Sequence, residues 1–281
     1  MKFPASLQSG LLRLAVLALL LVAGWQLHKP HDSKRAFPKA RSRGVLAVGV
    51  PYLAPQPAPG AKVRTAERID IDIAQRLGKD LGLPVILKQV DPADAQALLA
   101  SGAVDVILSD QDGDQGDDVL PEGVKRVSTG YVVQPQAVIR GDTSLRRWPD
   151  VSGHTVCMAD AAVSAQSLAR RWGAKVRTYP VPSAALVAVR EGKCDLGLVD
   201  DTVWAALMGY PEWKKYSATL PLNGPALTRV WLVRGQPEAG WLNRQMHAWR
   251  GQGAWKAMTA QWARDVAFDV YLDQEVPDCH G

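Results

Sequence analysis

Apolar and polar positions follow two rhythms along this chain, and the rhythms take turns. GVLAVGV (44–50) is a short apolar run that reads as a buried strand. DIDIAQRLGKDLG (70–82) repeats apolar positions at helical spacing, with Asp70 and Asp72 suited to a first turn and Gly82 to an end. PVILKQV then reads as a strand, PADAQALLASG as a helix and AVDVILSD as a third strand. After an irregular stretch the order recurs: strand HTVCMAD, helix VSAQSLARRWG, strand KVRTYPV, helix SAALVAVREG and strand KCDLGLVDD. Such alternation predicts an α/β protein whose mostly parallel sheets carry helices on both faces.

The two series share spacing as well as order. Gly102, Asp105 and Asp110 stand at relative positions 0, 3 and 8, and so do Gly192, Asp195 and Asp200. Each set predicts a helix ending at glycine, followed by a buried strand that runs out to an aspartate. Two lobes of like topology are expected. In open parallel sheets ligands bind outside the carboxyl ends of the strands. Facing lobes would therefore place Asp110 and Asp200 on one cleft, with Ser109 beside Asp110 at its rim.

Composition narrows the class. With 47% hydrophobic and 22% charged residues among 281, the chain is expected to fold rather than to stay disordered. The net charge of +5 is concentrated at one end, since residues 1–43 carry eight Lys/Arg and one Asp while the remainder is slightly acidic. A nucleic-acid footprint should lie on the folded domain, so nucleic acid is not an expected partner. Lys2 and Arg13 precede an uninterrupted apolar run over 14–24, the pattern of an export signal or a retained membrane anchor (residues 1–27), with a basic linker over 28–43. A buried core helix is the third alternative. Export permits disulfides. The three cysteines lack C-x-x-C spacing, and the expected pair is Cys157–Cys194 on strands of one sheet, leaving Cys279 unpaired.

Five segments together resemble a known family. GVLAVGVPYLAP, RIDIDIAQRLGKDLGLPV, LLASGAVDVILSD, GDTSLRRWPDVSGHTV and AVREGKCDLGLVDD occur in the order seen in bacterial extracellular solute-binding proteins of family 3, the amino-acid-type periplasmic binding proteins. The likeness covers roughly residues 44–265. It implies lobe 1 over 44–133 and 228–281 and lobe 2 over 134–227, joined by crossing strands near 131–140 and 228–234. It further implies a periplasmic monomer that closes on a small solute by hinge motion and hands it to the inner-membrane permease of an ABC transporter. No cofactor is implied.

The resemblance also assigns roles. Tyr52 is similar to the aromatic wall of the first-strand loop, and Asp200 to the acid that binds a ligand ammonium. The turn at 160–164, from Asp160 to Ser164, is where the family offers backbone N–H groups to a carboxylate, helped by helix polarity. Here Ala161 and Ala162 replace the usual Gly-Ser/Thr. Asp70, Ser109 and Asp110 complete the expected ligand-binding set. The largest departure is SDQDGDQGDDVLPEG (109–123), which lacks the Arg that usually grips the ligand carboxylate as a bidentate fork. Without it, a cationic or neutral solute is the better expectation.

Rival chemistries are weaker. Counted from Asp110, acids fall at positions 1, 3 and 5 of a calcium loop, but Gln115 stands where the glycine is needed and Glu122 arrives one position late. No G-x-S-x-G, H-E-x-x-H or phosphate loop is present, so an enzyme is not expected. The alternatives kept open are an accessory or sensor serving a periplasmic enzyme, and a dehydratase on the same fold. Trp241, Trp249, Trp255 and Trp262 are spaced at helical intervals and are expected in a core.

Overall fold

In the computed structural model of the chain, residues 36–60, 64–65, 69–112, 120–221 and 226–272 are described. They form two sheets. In the first, the strand order is β2 (Val85–Gln89), β1 (Leu46–Val50), β3 (Val106–Asp112), β9 (Leu227–Arg234), β4 (Val124–Val133). In the second it is β5 (Pro135–Ile139), β8 (Leu196–Asp200), β6 (Thr155–Ala159), β7 (Lys175–Tyr179). In each sheet three parallel strands are followed by one antiparallel strand: β3 pairs with β9 as β8 pairs with β5. The chain leaves the first sheet for the second at Gln134, and β9 lies wholly in the first sheet.

The helices follow from their apolar stripes. In α2 (Ile69–Leu81), Ile69, Ile73, Leu77 and Leu81 recur every fourth residue and are buried, and Gly82 stops the helix at φ 68°. Its counterpart in lobe 2 is α4 (Val163–Arg171), and α3 (Ala95–Ser101) corresponds to α5 (Pro182–Arg190). Gly102 and Gly192, which open the duplicated pattern, both take left-handed φ values, 75° and 73°.

The middle aspartate of each copy proves to be a clasp. Asp105 accepts the Ala47 N–H at 2.9 Å while its own N–H donates to the Ala47 carbonyl at 2.8 Å. Asp195 does the same with Thr155, at 2.7 and 2.9 Å. Each carboxylate also meets a basic side chain, Arg43 in lobe 1 and His154 in lobe 2. The Cys157–Cys194 disulfide is present, with Cα atoms 6.0 Å apart. Cys157 stands on β6, but Cys194 lies in the turn before β8 rather than on a strand. Cys279 is outside the described residues.

Two features depart from expectation. Of the stretch expected as a linker, residues 36–43 are packed: α1 (Pro38–Arg43) buries Ala40, and Phe37 sits edge-on against Trp241 at 6.0 Å between ring centres. Apolar Phe37 and Ala40 share one helical side, so the high charge of the segment lies only on its outer face. The second feature is the C-terminal pair of helices, α7 (Gln236–Gly251) and α8 (Ala254–Leu272). They bury Trp241, Trp249 and Trp262 as the spacing predicts, while Trp255 is only partly buried. Yet α8 also packs against α5 and against α6 (Asp201–Leu207) of lobe 2. The largest hydrophobic core is therefore shared, running from Ile69 and Trp231 of lobe 1 through Val266 and Val270 to Leu186 and Val203 of lobe 2. Arg190 donates to the Val270 carbonyl at 2.6 Å and Ser183 to Asp269 at 3.3 Å at the same seam.

Candidate functional site

Strand polarity carries β3 and β8 outward to the same cleft, where they deliver Asp110 and Asp200. The first of these acids has a cross-strand partner. Register places Asp110 opposite Arg229 on β9, and their side chains form an ion pair. Arg229 also donates its Nε–H to Asp70, in the first turn of α2, at 2.9 Å. Thr129 of β4, fully buried, donates to the Arg229 carbonyl at 2.6 Å and fixes the backbone that carries this side chain. The side chains of Asp70 and Arg229 are 5% and 10% exposed, against 36% for Asp110. Asp70–Arg229 is thus the inner pair, and Asp110 the outer member nearer water.

Arg229 corrects the sequence reading at one point. Lobe 1 does hold a cation against its acids, supplied by β9 rather than by the loop after β3. A signal existed: Arg229 is a lone charge inside the apolar stretch LTRVWLV. A buried arginine on a strand needs acids within reach.

Asp200 has no such help. Its cross-strand partner is Pro135, and although it occupies the N-cap of α6, its side chain makes no capping bond. Asp201 instead accepts the N–H groups of Thr202 at 2.9 Å and Gln134 at 3.4 Å. Burial, then the carboxylates of Asp201 and of Asp70 across the cleft, push the Asp200 carboxyl up to about 7. Near neutral pH it holds a proton part of the time.

Asp110, Ser164, Asp200 and Arg229 line one small cavity of about 30 Å³, walled by Ala161, Ala162 and Leu227 among others. That volume holds a water or two. Ser164 is the second residue of α4, and its N–H has no backbone acceptor among the described residues. Three other N–H groups of the 160–164 turn are already taken. The Asp160 N–H donates to the Tyr179 carbonyl at 2.7 Å, extending the β6–β7 ladder, and those of Ala162 and Val163 bond locally. Tyr52 lies off the cavity and donates its hydroxyl to the Pro180 carbonyl at 3.2 Å, joining the lobes at the cleft mouth. Ser109 also lies off it, its hydroxyl turned to the Asp110 carbonyl at 3.5 Å. Asp70 stands behind the cavity and reaches it through Arg229 and its field on Asp200.

Among the described residues, no three His, Cys, Asp or Glu side chains converge as a metal site would require. The core of the Asp-rich loop (113–119) and the apolar segment 1–27 are outside the described residues. Among those described, no helix is long and apolar enough to cross a membrane.

No protein-family model matches the sequence, and no curated protein matches it by sequence. Solved structures do match its fold. A mutant of ArgBP from T. maritima aligns with a TM-score of 0.52 at 17% identity, over 80% of this chain and 97% of that one. A putative binding component of an ABC transporter from Wolinella succinogenes, complexed with lysine, gives 0.53 at 22%, over 78% and 96%. The GluR0 ligand-binding core in complex with L-glutamate gives 0.52 at 13%, over 78% and 98%. The chain has the two-lobed fold of the amino-acid-type periplasmic binding proteins.

Proposed function

We propose that the chain is a periplasmic, non-enzymatic solute-binding protein that captures a small polar solute between its lobes and passes it to an ABC-type permease. The observation that carries this reading is the contrast between the two cleft acids. Arg229 pairs with both lobe-1 acids, whereas Asp200 faces the cavity without a paired cation. A solute bearing one cationic group would supply it, and hydrogen-bond acceptors elsewhere on the solute would meet the Ser164 N–H and the outer edge of Arg229. Since the cavity is far smaller than an amino acid, binding requires the lobes to part at the Tyr52–Pro180 contact and to pivot about α8. Asp200 must lose its proton to pair with a cation, so affinity should fall as pH drops below about 7.

Calorimetry of lysine, arginine, putrescine, glucose and glutamate at pH 8 tests the reading. A cationic member should bind, and Asp200→Asn should weaken it by about 2–4 kcal/mol. Binding of glutamate alone, or equal binding by the Asn variant, would refute it.

A further inference from the structure

At the pole of lobe 1 opposite the cleft, a groove of about 420 Å³ opens between α1, the end of α3 and the start of α7. That is within the range of small-molecule sites. Its floor is apolar and firmly held: Phe37, Leu99 and Val104 are each buried, and Phe37 is braced by Trp241. Its rim is charged. Lys39 and Arg234 stand on it, and neither has an acidic partner at ion-pair distance among the described residues. Two acids also line the groove. Asp105 is taken up by Arg43 and the Ala47 N–H, which leaves Glu238, in the first turn of α7, as the one acid set against two cations.

From this lining we infer that the groove is a second ligand site, separate from the cleft, for an amphipathic monoanion of the carboxylate class. Among the described lining residues the balance of two cations against Glu238 is +1, which one carboxylate completes. The groove is lined about equally by polar and apolar surface, so a short hydrocarbon tail lying in it leaves water in part, at roughly 25 cal/mol per Å² buried. Glu238 opposes the anion, and this opposition gives the site a signature of its own: removing Lys39 or Arg234 must weaken binding, while removing Glu238 must strengthen it. A bystander surface would show neither sign.

The test is titration of the full chain with hexanoate, followed by NMR or calorimetry, with hexylamine, hexanol and inorganic phosphate as separate arms. Hexanoate should saturate at a Kd on the order of 1 mM, as expected for so few heavy atoms. The other three should bind more weakly by about tenfold or more. Lys39→Gln and Arg234→Gln should each weaken hexanoate about threefold, and Glu238→Gln should tighten it by a similar factor, the range of solvent-exposed charge contacts. Asp200→Asn should leave hexanoate unchanged, which separates this site from the cleft. Non-saturable binding, phosphate binding as tight as hexanoate, or weakening by Glu238→Gln would each overturn the assignment.

Discussion

The two lobes use the same spacing of Gly, Asp and Asp and treat its last residue oppositely. Up to the middle aspartate they agree almost atom for atom: Asp105 clasps Ala47 as Asp195 clasps Thr155. At the last position they part. Asp110 faces Arg229 across the antiparallel pair, and Asp200 faces Pro135. One acid is compensated inside its own lobe; the other is left to its surroundings and keeps a raised affinity for protons. A repeated motif can thus preserve a structural role while its outermost residue changes function, and the change is made by the neighbouring strand rather than by the motif.

The strongest way to break this contrast is Arg229→Met. It leaves Asp70, whose carboxylate is 5% exposed, as a buried charge with no cation. Removal of one partner of such a pair costs about 3–5 kcal/mol, which in a chain of this size lowers the melting temperature by roughly 10 °C. The double variant Arg229→Met with Asp70→Asn should recover part of that loss, because the only carboxylate then left without its arginine is that of Asp110, which water reaches. If thermal denaturation shows both variants equally destabilised, packing of the arginine stem rather than charge is what the lobe needs.

Next in size is the disulfide, which belongs to one lobe alone. Strand register matches Cys157 to Gly49 of lobe 1 and Cys194 to Val104, so lobe 1 has no counterpart. Closing a loop with a sequence separation of 37 stabilises by about 4 kcal/mol in the entropic model, and often by less in practice. Cys157→Ser with Cys194→Ser should therefore lower stability, and hydrogen exchange should rise in β6 and β8 more than in β1 and β3. Equal rises in both sheets would mean that the core shared through α8 makes the lobes unfold as one.

A smaller effect separates the two clasps. Asp105 is 6% exposed with Arg43 upon it, whereas Asp195 is 47% exposed beside His154. Asp105→Ala should cost about 2 kcal/mol and Asp195→Ala about 1, since a buried backbone donor left unsatisfied costs more than one that water can reach. Urea denaturation of the two variants provides the comparison.

Much of this arrangement was legible in the sequence, and the parts that were not share a cause. Strand and helix order follow from local periodicity, and the Trp spacing marked a buried helical face. The duplicated glycines announce left-handed helix ends because few other residues accept that conformation. Arg229 could not be placed by local reasoning, since its role depends on the register of β9 against β3. Asp105 and Asp195 read only as members of a pattern, because a carboxylate that accepts a backbone N–H looks the same in sequence as one that faces solvent. The use of the Asp160 N–H is hidden for a related reason: it continues a ladder whose length no side chain reveals. The packed turn of α1 was hidden by its charge, which is high in composition but confined to one face. And α8 reads as an ordinary core helix, while its contact with α5 and α6 is a fact of tertiary structure alone.

The smallest and most specific effect concerns Asp200 itself. Its carboxyl lies at about 7 in the folded protein against an ordinary value of 3.8. Between those values the folded state holds a proton that the unfolded chain releases, so stability falls as pH rises from about 4 to about 7 and is level above that. Asp200→Asn removes the penalty, and the variant should match the native chain near pH 4 and exceed it at pH 8. The side chain is not fully buried, so water screens part of the cost, and the gain at pH 8 should be about 1 kcal/mol, or some 2–4 °C. Melting curves of both proteins across this range, without solute, make the measurement. A variant less stable at pH 8 than the native chain would mean that Asp200 is compensated after all, and the difference between the lobes would disappear.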